Sequence, residues 1–153
     1  MTERTITGVE VNDRRVFKGG MELHAVYGHY NFAHNDETVS ATLVVQVVAL
    51  PDQARVQDLY VITEGFGGTG GYVVGDSSLS NRYMTLASLS VAAGGKMVNY
   101  MNVQAGRGYK VSLTPSSVPQ FYPINVTING APSATRSGCI AMCVWYTIDN
   151  AAT

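Results

Sequence analysis

The residues of this chain whose types could support chemistry are three histidines, a glycine-rich run, two neighbouring carboxylates and two cysteines, and the spacing of each argues against a reactive site. His24, His29 and His34 are five apart. On an extended chain they alternate faces, and the two that share a face lie about 33 Å apart at ~3.3 Å per residue. A metal cage does not close over that span unless the strand folds back, so dispersed polar or interfacial histidines are expected. Residues 65–71, GFGGTGG, hold enough glycine to cradle a phosphate. A phosphate loop also needs a following Lys-Ser/Thr and a helix aimed at the anion, whereas Tyr72-Val73-Val74 reads as a strand. The run is expected to be a flexible loop between strands. Asp52 and Asp58 straddle a turn, an arrangement too common to mark a glycosidase pair. Cys139 and Cys143 fall on one face of a strand, about 13 Å apart, and cannot bridge each other. No catalytic, cofactor-binding or metal-ligating residue is therefore assigned.

Gly75-Asp76-Ser77 resembles the nucleophile block of the esterases named for a Gly-Asp-Ser-Leu motif. That family places the block near the N-terminus and its partner Asp and His near the C-terminus. No histidine follows His34 here, so Ser77 would lack its base. A turn in which Asp76 caps local backbone is the expectation, and the chain is read as a non-enzyme.

The elements that must position these residues read as strands. Residues 137–149, SGCIAMCVWYTID, put Ile140, Met142, Val144, Tyr146 and Ile148 on one face and Cys139, Ala141, Cys143, Trp145 and Thr147 on the other. Both faces are mostly apolar, which marks a central strand with a layer packed on each side or one apposed to a neighbouring subunit. Residues 121–129 alternate as a half-buried strand, joined to the first by residues 130–136, so an antiparallel hairpin is expected. Residues 40–50, SATLVVQVVAL, read as another central strand, ended by Pro51-Asp52. Further strands are expected over 22–32, 55–63, 83–90, 98–103 and 109–113, with at most one helical turn within 77–87. Short strands with Gly-rich punctuation predict an all-β antiparallel sandwich, a jelly roll preferred, over 21–153. Residues 1–20 read as a separate N-terminal arm or edge hairpin. Arg4, Arg14, Arg15 and Lys18 bring four bases into it and Phe17 an aromatic, so these five are the candidate protein-interface residues.

At 153 residues the chain fits one domain. Charged residues are only 14% of it, against roughly 25% in ordinary soluble domains. Nine tyrosines accompany that shortfall, as suits a chain whose surface is partly covered in its working state, and a homo-oligomer is expected. The net charge of −1 conceals a division: residues 1–76 hold ten acids against five bases, and residues 77–148 hold five bases and no acid. Pairing within the chain, or complementary charge between subunits, explains such a split. No compact basic cluster points to nucleic acid, and no apolar run is long enough for a signal peptide or a membrane span. Two core thiols without a disulfide framework suit synthesis in a reducing cytosol.

Residues 40–148 resemble, in their punctuation, small virion structural proteins of tailed bacteriophages. The resemblance is carried by Leu50-Pro51, then residues 56–61 (VQDLYV), Val74-Gly75-Asp76 leading to Arg82-Tyr83, residues 124–127 (INVT), and Ser137-Gly138-Cys139-Ile140 ending in Tyr146. Jelly-roll cement or head-decoration proteins are the nearest in size. The resemblance implies a protein made in the host cytoplasm that binds the outer capsid surface, commonly as a trimer, with the major capsid protein as partner, and ties neighbouring capsid subunits together. A receptor- or carbohydrate-binding module, or a tail or connector component, is the alternative. Trp145 lies on the most buried-looking strand, which speaks against its use as an open stacking platform.

Overall fold

The computed structural model describes residues 23–36, 38–64, 66, 68–88, 96–100, 108–113, 121–132 and 138–148. Eight strands follow one another: β1 (Leu23–Asn31), β2 (Val44–Leu50), β3 (Ala54–Glu64), β4 (Gly68–Gly75), β5 (Met84–Ser88), β6 (Lys96–Tyr100), β7 (Tyr122–Pro132) and β8 (Cys139–Ile148). They form two four-stranded antiparallel sheets, ordered β1-β8-β3-β6 and β2-β7-β4-β5. First pairs with last, second with second-to-last, and so on inward. That is one long folded-over ribbon rolled up on itself, the jelly-roll wrapping expected from the strand pattern.

The core lies between the sheets and follows the period of two. Ile140, Met142 and Val144 of β8 face inward with Val26 of β1, Leu59 and Val61 of β3, and Ile124, Val126 and Ile128 of β7. β8 sits between β1 and β3, so its central placement holds. One end of the sandwich is plugged by aromatics, with Tyr30 edge-on to Phe32 at 4.9 Å and Phe32 edge-on to Phe66 at 5.2 Å.

Four local expectations give way to the tertiary structure. The hairpin between residues 121–129 and 137–149 does not form, because β7 pairs with β2 and β4 whereas β8 pairs with β1 and β3, in the opposite sheet. β2 is an edge strand among the described residues. Its doubly apolar run has another cause: the register shifts between Gln46 and Val48, and Val47 and Val48 are both buried. At that point β1 crosses against it, and a Cβ on Gly28 would overlap the Val47 carbonyl oxygen. Residues 109–113 form no strand; a β-bridge joins Lys110 to Arg55. Gly68, Thr69, Gly70 and Gly71 are strand, not loop, paired with residues 129–132 of β7. Residues 76–83 form the β4–β5 connection.

Candidate interaction surfaces

The acid that the sequence offers as a turn cap is the best-anchored polar group among the described residues. The Asp76 carboxylate is buried and accepts hydrogen bonds through Oδ1 from the Ser78 N–H (2.8 Å), the Leu79 N–H (2.8 Å) and the Ser78 hydroxyl (2.6 Å). Its Oδ2 takes the Arg82 Nε–H in a tight ion pair. Burial alone would raise the Asp76 pKa, yet the Arg82 and Ser78 hydrogen bonds outweigh it and hold the carboxyl below its ordinary value. Ser77, in the place of an esterase nucleophile, is an exposed residue of this turn. Gly75 precedes the turn because the chain folds back on it: a Cβ there would overlap the Leu79 carbonyl oxygen and the Ser80 backbone.

Aromatic rings support the loop from below. The Arg82 guanidinium lies 3.8 Å from the centre of the Tyr109 ring, a cation–π contact that binds the β4–β5 loop to residues 108–113. Tyr109 in turn meets Tyr83 at 6.5 Å and Tyr122 at 6.3 Å. The Tyr83 and Tyr122 hydroxyls are buried and make no hydrogen bond of good geometry among the described residues. Burial first pushes both phenols well above the ordinary tyrosine range, followed at Tyr83 by the negative charge of Asp76 and at Tyr122 by the closeness of its hydroxyl to the Asp76 carboxylate and the Tyr109 hydroxyl, so they stay neutral.

Residues 108–113 are also tied to the β2–β3 turn. Asp52 Oδ1 accepts from the Leu113 N–H at 2.8 Å, the Gln53 N–H donates to the Val111 carbonyl at 3.1 Å, and the Val111 N–H donates to Ala54 at 2.7 Å. Arg55 donates to the Gly108 carbonyl at 2.9 Å. The Leu113 amide first, then the Gln53 side chain and the nearby Lys110 charge, hold the exposed Asp52 carboxyl below its ordinary value. Part of the charge division along the sequence is thus matched within the chain: Arg82 pairs with Asp76, and Lys110 lies near Asp52.

A second surface is the outer face of the sheet β1-β8-β3-β6. Register places Tyr27, Cys143 and Tyr60 in one row, His29, Ala141 and Ile62 in the next, and Ala25, Trp145 and Asp58 on the other side. Tyr27 is 42% exposed, Trp145 and Tyr60 are half-buried with ring centres 5.3 Å apart, and Ala141 and Cys143 lie buried among the larger side chains. Trp145 therefore belongs to an outer face although its strand is central, because the period of two turns it away from the core. Alternation alone could have found it.

The histidines are dispersed as their spacing implies. His24 is buried and stacked on Tyr146 at 5.3 Å, His29 is exposed beside Tyr27, and His34 lies exposed in the turn after β1. Asp58 accepts from the Leu59 N–H, and Asp52 from the Leu113 N–H. Cys139 and Cys143 do not bridge each other. Arg4, Arg14, Arg15, Phe17 and Lys18, with the whole of the expected arm or hairpin, lie outside the described residues.

No protein-family model matches the chain, and no curated protein matches it. Solved structures do. A chain of the Cyanophage Pam1 capsid asymmetric unit superposes with a TM-score of 0.63 at 15% identity, over 90% of this chain and 94% of that one. A chain of the capsid of Ralstonia phage GP4 gives 0.62 at 15% identity, over 84% and 86%. At that identity the likeness is one of fold, and it runs nearly end to end in both directions.

Proposed function

We propose that this chain is a structural protein of a tailed-phage particle and, within that class, a decoration or cement protein that binds the outer capsid and ties neighbouring capsid subunits together. The observation that carries the reading is the end-to-end likeness of fold to chains of two phage capsid structures, with little left over on either side. A cement protein needs a rigid body and surfaces for protein, and the chain supplies both. Its reactive-looking groups are spent on structure: Asp76 holds a loop, Arg82 holds Asp76, and the Tyr83 and Tyr122 phenols are buried and neutral. That use of polar groups supports a binding role without catalysis.

Co-expression with the major capsid protein of the same genome tests the reading. The chain is expected to travel with assembled shells through a density gradient in fixed ratio, and shells made without it are expected to be less resistant to heat. Shells that form and sediment while the chain stays at the top of the gradient would remove the cement reading. Recovery with purified tails would favour a tail or connector component. The outer face with Tyr27, Tyr60 and Trp145 supports one further reading, glycan stacking, which predicts quenching of Trp145 fluorescence by oligosaccharide.

A further inference from the structure

The two sheets of this sandwich present different outer faces. On β2-β7-β4-β5 the outward rows are Gln46, Asn125 and Gly75, then Val44, Thr127 and Val73, so amide and hydroxyl groups are spread over that side. An antiparallel sheet with one face on a core and one in water is built this way. On β1-β8-β3-β6 the outward rows are the aromatic and apolar ones already described, Tyr27, Cys143 and Tyr60, then His29, Ala141 and Ile62, with Trp145 between Ala25 and Asp58. Along β8 the floor is low, since Ala141 and Cys143 are buried, and the larger side chains of β1 and β3 stand on either side of it. A contiguous apolar trough of that kind is a surface for a cover.

A segment able to cover it is attached to the sheet itself. Residues 1–22 lead into Leu23, the first residue of β1, which pairs with Thr147 two residues beyond Trp145. Fully extended, 22 residues reach about 70 Å, whereas the four strands of the sheet span only about 15 Å and β1 runs for about 30 Å. The segment is long enough to cross the face and return. Ile6, Val9, Val11, Val16 and Phe17 supply its apolar groups, and Arg14, Arg15 and Lys18 lie within nine residues of Leu23, where they complement Asp58, the acid in the Trp145 row. Because it is tethered, the segment meets this face at an effective concentration on the order of millimolar, which a separate partner must exceed.

We propose that the outer face of β1-β8-β3-β6 is the docking site of the chain's own N-terminal segment, residues 1–22, which lays its apolar side chains over Tyr27, Tyr60 and Trp145 and sets its bases against Asp58. The inference stands apart from the virion reading, since it concerns the free chain, whatever particle the chain joins. A face covered in this way does not serve as an open glycan platform.

Trp145 is the only tryptophan, so its fluorescence reads this face directly. In the intact chain its emission is expected towards the blue and its quenching by acrylamide to be slow, both independent of protein concentration. In the intact-length variant Val11→Asp/Phe17→Asp, quenching is expected to rise severalfold and the emission to move to the red, with the far-ultraviolet circular dichroism of a β protein retained. A second measurement needs wild type alone: zero-length crosslinking of a mixture of isotopically heavy and light chains should join Lys18 to Asp58 within heavy or within light chains. Wild-type Trp145 quenched as readily as a free indole, quenching unaltered in a variant that stays folded, or shielding lost on dilution, which would give the face to a second copy, would each overturn the proposal. Lys18 links found only between heavy and light chains would do the same.

Discussion

Asp76 shows how one side chain can organise a loop that sequence alone shows only as a turn. Its carboxylate is buried, so every lone pair must be used, and three local donors plus Arg82 use them. Removing one partner of such a pair strands the other, and Arg82→Leu is expected to cost about 3 kcal/mol in denaturant unfolding. The pH dependence follows in sign. Asp76 titrates lower in the folded chain than its ordinary value of 3.8, so its contribution is full above that value and is lost as pH falls through the folded pKa. The stability gap between wild type and Asp76→Asn is therefore expected to narrow as pH falls from about 5 towards 3. A gap that stays constant across that range would mean that Asp76 is not the group being titrated.

Strands in this chain are placed by what crosses them as much as by their own pattern. Gly28 lies inside β1, where alanine ordinarily serves a strand better. Here the Val47 carbonyl of β2 occupies the position a Cβ would need, and a backbone atom cannot rotate away. Gly28→Ala is accordingly expected to destabilise by about 2 kcal/mol, as for overpacking in a close-packed core, against the direction strand propensity gives. Thermal melts of the two proteins decide it, and an unchanged or raised Tm would show that the sheets do not approach so closely. The register shift in the same stretch explains why β2 looks central in sequence: Val45 and Val47 before it and Val48 and Leu50 after it are all buried in the core.

Taken whole, the molecule has a jelly roll whose eight strands lie between residues 23 and 148. Among the described residues the core draws on those strands, and the four bases within residues 1–18 suit an arm laid on a protein surface, so that segment is expected to be dispensable for folding. Deletion of residues 1–18 should leave the far-ultraviolet circular dichroism of a β protein and a cooperative melt. Loss of particle binding or of self-association in the truncated chain would mark the segment as an arm. Unfolding or aggregation would instead make it part of a sheet, with Ile6, Val9, Val11, Val16 and Phe17 serving the core.

Period-two alternation determined, without any structure, that the chain is all-β, that Ile140, Met142 and Val144 share a buried face, and that the strand now seen as β8 runs through the middle of a sheet. Side-chain direction along a strand is a local property, so it can be read locally. The Asp76 turn was legible for the same reason, its donors lying two, three and six residues on. Partner choice was not legible. β7 and β8 are neighbours in sequence and face each other across the core, because strand pairing is settled by which apolar surfaces close the sandwich and not by loop length alone. Tyr109 reaches Arg82 from 27 residues away, and Asp52 holds Leu113 from 61, through a wrapping that only the tertiary structure decides.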